Sequence, residues 1–171
     1  MNNKIPHFKL YYIAEDYIEY LRKFDQIVSY NKSNTRPYVG IVYTYNNMNY
    51  FAPLSSPKTK HEKMKNTQPD VYKIDNGRLG IVNINNMIPT PKECLKEVIP
   101  TVKDEKYKNL LQNQLAYINK PINALNLLKK INYFQKRYRE KNLPDVIVKR
   151  SCNFILLEEK CKQWENNTCD L

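Results

Sequence analysis

The pattern of apolar and polar residues predicts strands in the first half of the chain. Residues 8–13 are expected to form a short strand, and residues 14–25 a helix, because their apolar positions recur every three or four residues. Residues Tyr38–Tyr45 and 49–54 are predicted to form two further strands around an Asn-Asn turn. Asparagine tolerates the left-handed backbone of such turns, so this segment is expected to be a β-hairpin.

Further strands precede a change to helical spacing. Residues 71–74 and 79–83 flank Asp75-Asn76-Gly77 and predict a second hairpin. A short extended piece is expected at Met87-Ile88, before a proline-rich irregular connection.

The second half of the chain is predicted to be helical. Helices are expected over residues 103–119, 122–142 and about 153–164, with a break at Lys120-Pro121. Strands followed by helices favour an α+β fold over alternating βαβ units, and the length suits a single domain over residues 1–171.

Charge points to a polyanionic partner. The chain has 28 Lys and Arg against 17 Asp and Glu, a formal net charge of +11. A basic surface attracts phosphates and gains affinity by releasing their counterions, so nucleic acid is the first expected partner and an anionic membrane surface the second. No apolar run approaches the length of a membrane span, and no signal-like segment opens the chain, so a soluble, cytoplasmic protein is expected.

Several kinds of site are excluded by residue content. The chain has 3 glycines, at positions 40, 77 and 80, and both the phosphate-binding loop of nucleotide hydrolases and the dinucleotide fingerprint need clustered glycines. Its 4 cysteines form no Cys-x-x-Cys pair and lie far in sequence from both histidines, so no metal site or other cofactor is expected. We expect reduced, mostly packed thiols, although Cys161 and Cys169 could pair on oxidation.

One segment, FAPLSSPKTKH, is chemically unusual because an apolar strand ends in hydroxyls and cations. Ser55 and Lys58 have the Ser-x-x-Lys spacing of penicillin-recognising enzymes, but the Ser-Asp-Asn and Lys-Thr-Gly elements of those enzymes are missing. A structural explanation is that Ser55 and Ser56 cap a short helix beginning at Pro57. The remaining interpretation is a site for RNA cleavage, and a capped helix is compatible with it.

RNA cleavage by the ribose 2′-hydroxyl requires a group that attracts the hydroxyl proton, cations that stabilise the phosphorane, and help for the departing 5′-oxygen. The two serine hydroxyls, Lys58, Lys60 and His61 could supply these parts. Arg36 precedes the partner strand of the hairpin, and its guanidinium would suit a bidentate phosphate contact. A lone histidine is more often a satisfied or surface residue, so His61 by itself is a weak signal.

The chain resembles the ToxN/AbiQ family of type III toxin–antitoxin endoribonucleases. The matching segments, in order, are LYYIAEDYIEYLRKFD, RPYVGIV, FAPLSSPKTKH, LGIVNINNMIP, KYKNLLQNQLAYIN and SCNFILLEEK. They are spread over most of the chain, and the combination of the Ser-Ser-Pro-Lys and Leu-Leu-Glu-Glu-Lys segments is specific.

The resemblance implies a twisted antiparallel sheet surrounded by helices, as in the MazF/Kid toxins. It implies metal-independent cleavage of single-stranded RNA, typically at adenine-rich sites, leaving a 2′,3′-cyclic phosphate and a 5′-hydroxyl. The implied substrates are cellular or phage mRNA, and the implied role is growth arrest or abortive infection against phage in the bacterial cytoplasm. The implied inhibitor is a small repetitive pseudoknot RNA, which the toxin processes and which then holds it in a closed RNA–protein assembly.

The resemblance also suggests roles for individual residues. Ser56 matches the essential serine of the family, Ser55 a position occupied by threonine in some relatives, and Lys58 the active-site lysine. Arg36 occupies a site that can be lysine, and arginine keeps the charge but changes the geometry, so phosphate binding rather than proton transfer is expected there. Tyr17 matches a tyrosine on the first helix that can line the same groove, and His61 matches by position without an assigned role.

A different class of function remains open from the residues alone. A non-catalytic RNA-binding regulatory module would share the charge and the 14 tyrosines, whose rings can stack on unpaired bases. A DNA-binding accessory protein is a weaker alternative. The RNA-binding module gives no reason for Ser-Ser-Pro-Lys at the end of a strand.

Overall fold

A computed structural model of the chain describes residues 5–31 and 35–169, with side chains up to residue 167. A seven-stranded antiparallel sheet lies at its centre, in the order β4-β5-β3-β2-β1-β7, with β6 paired to β3. The strands are β1 (Lys9–Ile13), β2 (Tyr38–Tyr45), β3 (Met48–Ser55), β4 (Val71–Lys73), β5 (Ile81–Asn83), β6 (Ile88–Pro89) and β7 (Leu95–Glu97).

The hairpin of β2 and β3 forms the middle of the sheet and confirms the predicted Asn-Asn turn. Asn46 and Asn47 both have left-handed backbone conformations, with φ of 48° and 62°. The register of the β2–β3 pairing shifts between Val39 and Tyr43, so that β2 contains a bulge. Gly40 lies in this bulge, where a Cβ would stand 2.1 Å from the Phe51 ring. Only glycine allows the two strands to approach this closely.

Strand β3 leaves the hairpin and continues into a second set of pairings. Its last residues, Leu54 and Ser55, pair with Val82 and Ile81 of β5. The antiparallel pair of β4 and β5 confirms the second predicted hairpin. As a result, the serine end of β3 lies between β5 on one side and the start of β2 on the other.

The helices confirm an α+β fold with a helix-rich second half. Their bounds are α1 (Glu15–Arg22), α2 (Thr59–Lys63), α3 (Glu105–Ile118), α4 (Pro121–Arg139), α5 (Asp145–Val148) and α6 (Phe154–Cys169). Helix α1 is shorter than predicted, because the chain leaves the helix after Arg22 and Phe24 is exposed. Helix α6 continues beyond its predicted end. No helix in the described part of the chain is long and apolar enough to cross a bilayer.

Aromatic side chains join the C-terminal helices to the sheet. The Phe154 ring packs edge-on against Tyr50 of β3 and Phe134 of α4, and Trp164 packs against Tyr17 of α1 at 5.2 Å between ring centroids. Three cysteines, Cys94, Cys152 and Cys161, lie in this core as free thiols, as predicted. Burial raises the pKa of Cys94 to about 12 and that of Cys161 to about 11. The side chain of Cys169 lies outside the described residues.

Candidate functional site

The predicted site residues converge at one end of the central hairpin. Leu54 donates its backbone N–H to the Pro37 carbonyl at 2.9 Å, which holds the end of β3 against the segment preceding β2. A pocket of about 140 Å³ opens there. It is lined by Thr35, Arg36, Pro37, Leu54, Ser55, Ser56, Lys58 and Tyr107. Four of the seven candidate residues are therefore brought together: Arg36, Ser55, Ser56 and Lys58.

The two serines differ in their surroundings. Ser55 is half-buried and its Oγ accepts a hydrogen bond of 2.9 Å from the Asn83 amide, whereas Ser56 is exposed. Gly80 packs behind them with φ of +100°, and a Cβ there would stand 2.0 Å from the Ser55 carbonyl oxygen. Glycine at this position lets β5 approach the serine segment closely enough to support it.

Lys58 is the last extended residue before α2, with φ of −145° and ψ of 144°. The backbone N–H of His61 donates to the Lys58 carbonyl at 2.8 Å and fixes the main chain of the lysine. The predicted capping of a helix by Ser55 and Ser56 is wrong, because the chain stays out of the helix until Thr59 and no side chain caps α2. This extended path leaves the serine hydroxyls unused as caps.

Arg36 enters the pocket from the segment before β2. Its Nε donates to the Tyr30 carbonyl at 2.8 Å, and the side chain is half-buried. A guanidinium has five N–H donors, so this bond leaves others free for a phosphate. The expectation that Arg36 lies near the serines across the hairpin is confirmed.

Tyr107 lines the pocket but was not proposed from the sequence. It lies in the first turn of α3, where its backbone N–H donates to the capping Asp104 carboxylate at 2.6 Å. Burial and the neighbouring Tyr12 raise the pKa of Tyr107, and the positive charge of Arg36 opposes this rise. The available signal was its place in the segment KYKNLLQNQLAYIN.

Three predicted residues do not line the pocket. Tyr17 has no exposed surface, and its hydroxyl donates to the Pro89 carbonyl at 2.7 Å inside the core. His61 is 1% exposed, and Lys60 is an exposed residue of α2. Burial, then the positive charges of Lys60 and Lys58, lower the pKa of His61. An RNA contact at Tyr17 remains a prediction, and in the structure its ring is buried against Trp164 of α6.

This arrangement suits the binding of a phosphodiester. Two cationic side chains, Arg36 and Lys58, and the hydroxyl groups of Ser55, Ser56 and Tyr107 surround a pocket of small volume. Cations and hydrogen-bond donors that are held in place before reaction stabilise negative charge as it develops on phosphate oxygens. In the described part of the chain, no group of three or more His, Cys, Asp or Glu side chains is placed to hold a metal ion.

The fold and pocket define a small basic α+β protein with a candidate phosphate site at the end of a β-hairpin. The family model described as "Toxin ToxN, type III toxin-antitoxin system" matches residues 9–162. The chain belongs to this ToxN family, which confirms the resemblance noted in its sequence segments.

Relatives of known activity agree with this assignment. The chain is 33% identical to the endoribonuclease ToxN of Bacillus thuringiensis subsp. kurstaki, over 92% of this chain and 84% of that protein. It is 34% identical to the endoribonuclease AbiQ of Lactococcus lactis subsp. lactis, over 94% and 91% respectively.

Solved structures share the fold. AbiQ, a lactococcal anti-phage endoribonuclease of the type III toxin–antitoxin class, superimposes with a TM-score of 0.81 and 28% identity, over 94% of this chain and 99% of that one. A type III toxin that is selectively inhibited by a non-coding RNA pseudoknot superimposes with a TM-score of 0.77 and 30% identity, over 94% and 99%. Both of these proteins match over nearly their whole lengths.

Proposed function

We propose that this chain is the toxin of a type III toxin–antitoxin system and cleaves single-stranded RNA without a metal ion. The observation that carries the proposal is the pocket that gathers Arg36, Ser55, Ser56 and Lys58 at the end of β3. Membership of the ToxN family and the endoribonuclease activity of its relatives support it. The expected sites are adenine-rich, in cellular or phage mRNA.

In the proposed reaction, the ribose 2′-oxygen attacks the adjacent phosphorus. The new O2′–P bond forms while the P–O5′ bond breaks, the 2′-hydroxyl loses its proton and the departing 5′-oxygen gains one. The products are a 2′,3′-cyclic phosphate and a 5′-hydroxyl. Lys58 stabilises the phosphorane charge and is available for proton transfer, Arg36 binds a phosphate oxygen, and Ser56 positions the 2′-hydroxyl or a phosphate oxygen. Ser55 donates its own hydroxyl hydrogen to the phosphate, since Asn83 already occupies an acceptor position on its oxygen.

The proposal includes the inhibitor and the wider context of the protein. A small repetitive RNA that folds as pseudoknots would be processed by this chain and would hold it in a cyclic RNA–protein assembly. The net charge of +11 suits such a polyanionic partner. A likeness to the MazF/Kid toxins, a single domain over residues 1–171 and a place in the bacterial cytoplasm belong to the same proposal.

The test compares the wild-type chain with Ser56→Ala and Lys58→Ala on adenine-rich single-stranded RNA in EDTA. Wild type is expected to cut and to leave 2′,3′-cyclic phosphate ends, and each variant to lose about 10²–10³-fold in rate, the usual effect of removing one group that stabilises the transition state. If both variants cut like wild type, the site is wrong. If wild type requires a divalent ion, the mechanism is wrong.

The alternative of a non-catalytic RNA-binding module gives a different result. It predicts that wild type binds the RNA without shortening it, and that expression without an antitoxin RNA is harmless to the cell. The type III assignment also predicts short tandem repeats of DNA directly upstream of the gene, encoding the antitoxin. Absence of such repeats counts against the assignment whatever the single variants show.

A further inference from the structure

The side chain of Lys73 joins β4 to the C-terminal end of α2. Lys73 is the half-buried last residue of β4, and its Nζ donates to the Glu62 carbonyl at 2.8 Å and to the Met64 carbonyl at 3.0 Å. The last carbonyls of a helix have no partner within the helix itself. A lysine ammonium can donate to several of them and complements the partial negative charge of that end. Lys73 therefore caps α2 from β4.

Helix α2 depends on support from outside the helix. It has five residues, Thr59–Lys63, and no side chain of the described residues caps its N-terminal end. A helix this short is not stable by itself in water. A second contact comes from Gly77, in the turn that follows β4, where a Cβ would stand 2.6 Å from the His61 carbonyl oxygen. The segment from Lys73 to Gly77 thus holds α2 at two points.

The position of α2 determines the position of Lys58. Lys58 directly precedes α2, and its carbonyl accepts a hydrogen bond of 2.8 Å from the backbone N–H of His61. The Lys58 side chain is exposed and lines the pocket of the candidate site. Because a lysine stem is flexible, the main chain decides which positions its ammonium can reach. Movement of α2 would therefore carry the Lys58 ammonium away from a bound phosphate.

We propose that Lys73 is a positioning residue for Lys58, because its contacts with the α2 carbonyls hold the main chain from which Lys58 reaches the scissile phosphate. This inference rests on the proposed function. Lys73 is not among the residues that line the pocket, so it acts through Lys58 and not on the substrate. Misplacement of a reacting group by about 1 Å can lower a rate about 10²-fold, so a support outside the pocket affects the chemical step.

The test measures single-turnover cleavage by wild type, Lys73→Met, Lys73→Arg and Lys63→Met over a range of protein concentrations. Lys73→Met keeps an unbranched side chain and removes the ammonium, whereas Lys73→Arg keeps the charge and the N–H donors. Lys63→Met is the matched control, because Lys63 is an exposed residue of α2 and its replacement removes the same charge from the same region. All variants are compared at a temperature where circular dichroism shows that each is fully folded.

At saturation, Lys73→Met is expected to cut about tenfold more slowly than wild type, and Lys73→Arg and Lys63→Met within about twofold of it. The half-saturating concentration should change equally in Lys73→Met and Lys63→Met, because each loses one positive charge. An effect of Lys73→Met confined to that concentration would overturn the proposal. So would a saturating rate for Lys73→Arg as low as that of Lys73→Met.

A double-mutant cycle with Lys58→Ala separates positioning from a general loss of stability. If Lys73 acts through Lys58, adding Lys73→Met to Lys58→Ala should lower the rate by less than about twofold. A further tenfold loss would show that Lys73 acts independently of Lys58 and would overturn the inference. The same cycle with Lys73→Gln, which keeps a neutral donor, decides the question if Lys73→Met does not fold.

The same measurements distinguish failure of this inference from failure of the proposed function. If wild type does not cut RNA, the proposed function is wrong and the role of Lys73 falls with it. If wild type cuts and Lys58→Ala is slow, the proposed function stands, and the cycle then decides the role of Lys73 alone.

Discussion

Asn83 holds the hydroxyl of Ser55 in the candidate site. Its side-chain nitrogen donates to Ser55 Oγ at 2.9 Å and to the Pro53 carbonyl at 3.0 Å. Asn83 thus ties the last residue of β5 to the end of β3. Since a hydroxyl has one donor hydrogen, this acceptor contact directs the hydrogen of Ser55 away from Asn83 and leaves it available to a substrate oxygen.

We expect Asn83→Ala to lower the rate of RNA cleavage about tenfold, less than removal of Ser56, because it frees the Ser55 hydroxyl to rotate without removing a group that contacts the phosphate. Single-turnover cleavage with excess enzyme measures this effect on the chemical step. Asn132→Ala, at an exposed position of α4, is the control and should cut like wild type. Equal rates for Asn83→Ala and wild type would rule out this positioning role.

Lys58 and Lys60 allow a second comparison, because both are exposed lysines and only Lys58 lines the pocket. Lys58→Ala is expected to lower the cleavage rate at saturating RNA about 10²–10³-fold. Lys60→Ala should leave that rate nearly unchanged, with an effect confined to binding that disappears as salt rises, since its charge acts only at a distance. Cleavage rates measured at several salt concentrations separate the two. Similar losses in both variants would place the reacting phosphate elsewhere.

Much of the fold could be predicted from local pattern. The Asn46-Asn47 turn correctly predicted the central hairpin. The periodicity of apolar residues predicted the long helices, because amphipathic spacing persists over many residues. Strand β7 was missed, since Leu95–Glu97 is a three-residue edge strand with no apolar alternation. Its pairing with β1 depends on tertiary contact that no local pattern encodes.

Residues of the candidate site could be predicted only where they are close together in sequence or lie on strands that pair with each other. Ser55, Ser56 and Lys58 are close in sequence, and the position of Arg36 beside them follows from the pairing of β2 with β3. Tyr107 reaches the pocket from α3, and this approach depends on how the helix packs on the sheet. For Tyr17 the local pattern was sufficient, because its helical periodicity indicated a packed face and the structure buries its ring.

Burial of His61 predicts sensitivity to acid. Its pKa is lowered below its ordinary value of 6.5, because burial and the adjacent Lys60 and Lys58 disfavour the charged form, and its Nδ1 has no hydrogen-bond partner among the described residues. The unfolded chain therefore binds a proton more readily than the folded chain. The stability due to neutral His61 is complete above pH 6.5 and is lost as the pH falls through the window between 6.5 and the lower pKa of the folded state.

The measurement is the melting temperature at neutral and mildly acidic pH for wild type and His61→Leu. The fall in melting temperature on acidification should be smaller in His61→Leu, while carboxylates contribute equally to both proteins. His7→Leu is the control, because His7 is exposed, and it should behave like wild type. An equal fall in all three proteins would mean that protonation of His61 does not drive acid unfolding.

Glu158 is the carboxylate of a buried network that joins α6 to the sheet and to α4. It accepts a hydrogen bond from Tyr50 Oη at 2.5 Å and pairs with Arg139, whose guanidinium lies over the Tyr45 ring at 3.6 Å from the centroid. Removal of one partner from a buried pair leaves the other charge uncompensated. We expect Glu158→Ala to lower the free energy of unfolding by about 3 kcal/mol.

The neighbouring Glu159 is a matched control, because it is the same residue type on the same helix and is exposed. Its carboxylate accepts a hydrogen bond from Gln163 at 2.9 Å and pairs with Lys160 at 3.3 Å at the surface. Glu159→Ala should change the free energy of unfolding by about 0.5 kcal/mol or less. Urea unfolding monitored by circular dichroism measures both. Since Glu158 lies outside the pocket, Glu158→Ala should still cut RNA at the wild-type rate at a temperature where it is fully folded. A loss no larger than that of Glu159→Ala would show that the network does not stabilise the fold, because the two variants differ chiefly in whether a buried charge is left unpaired.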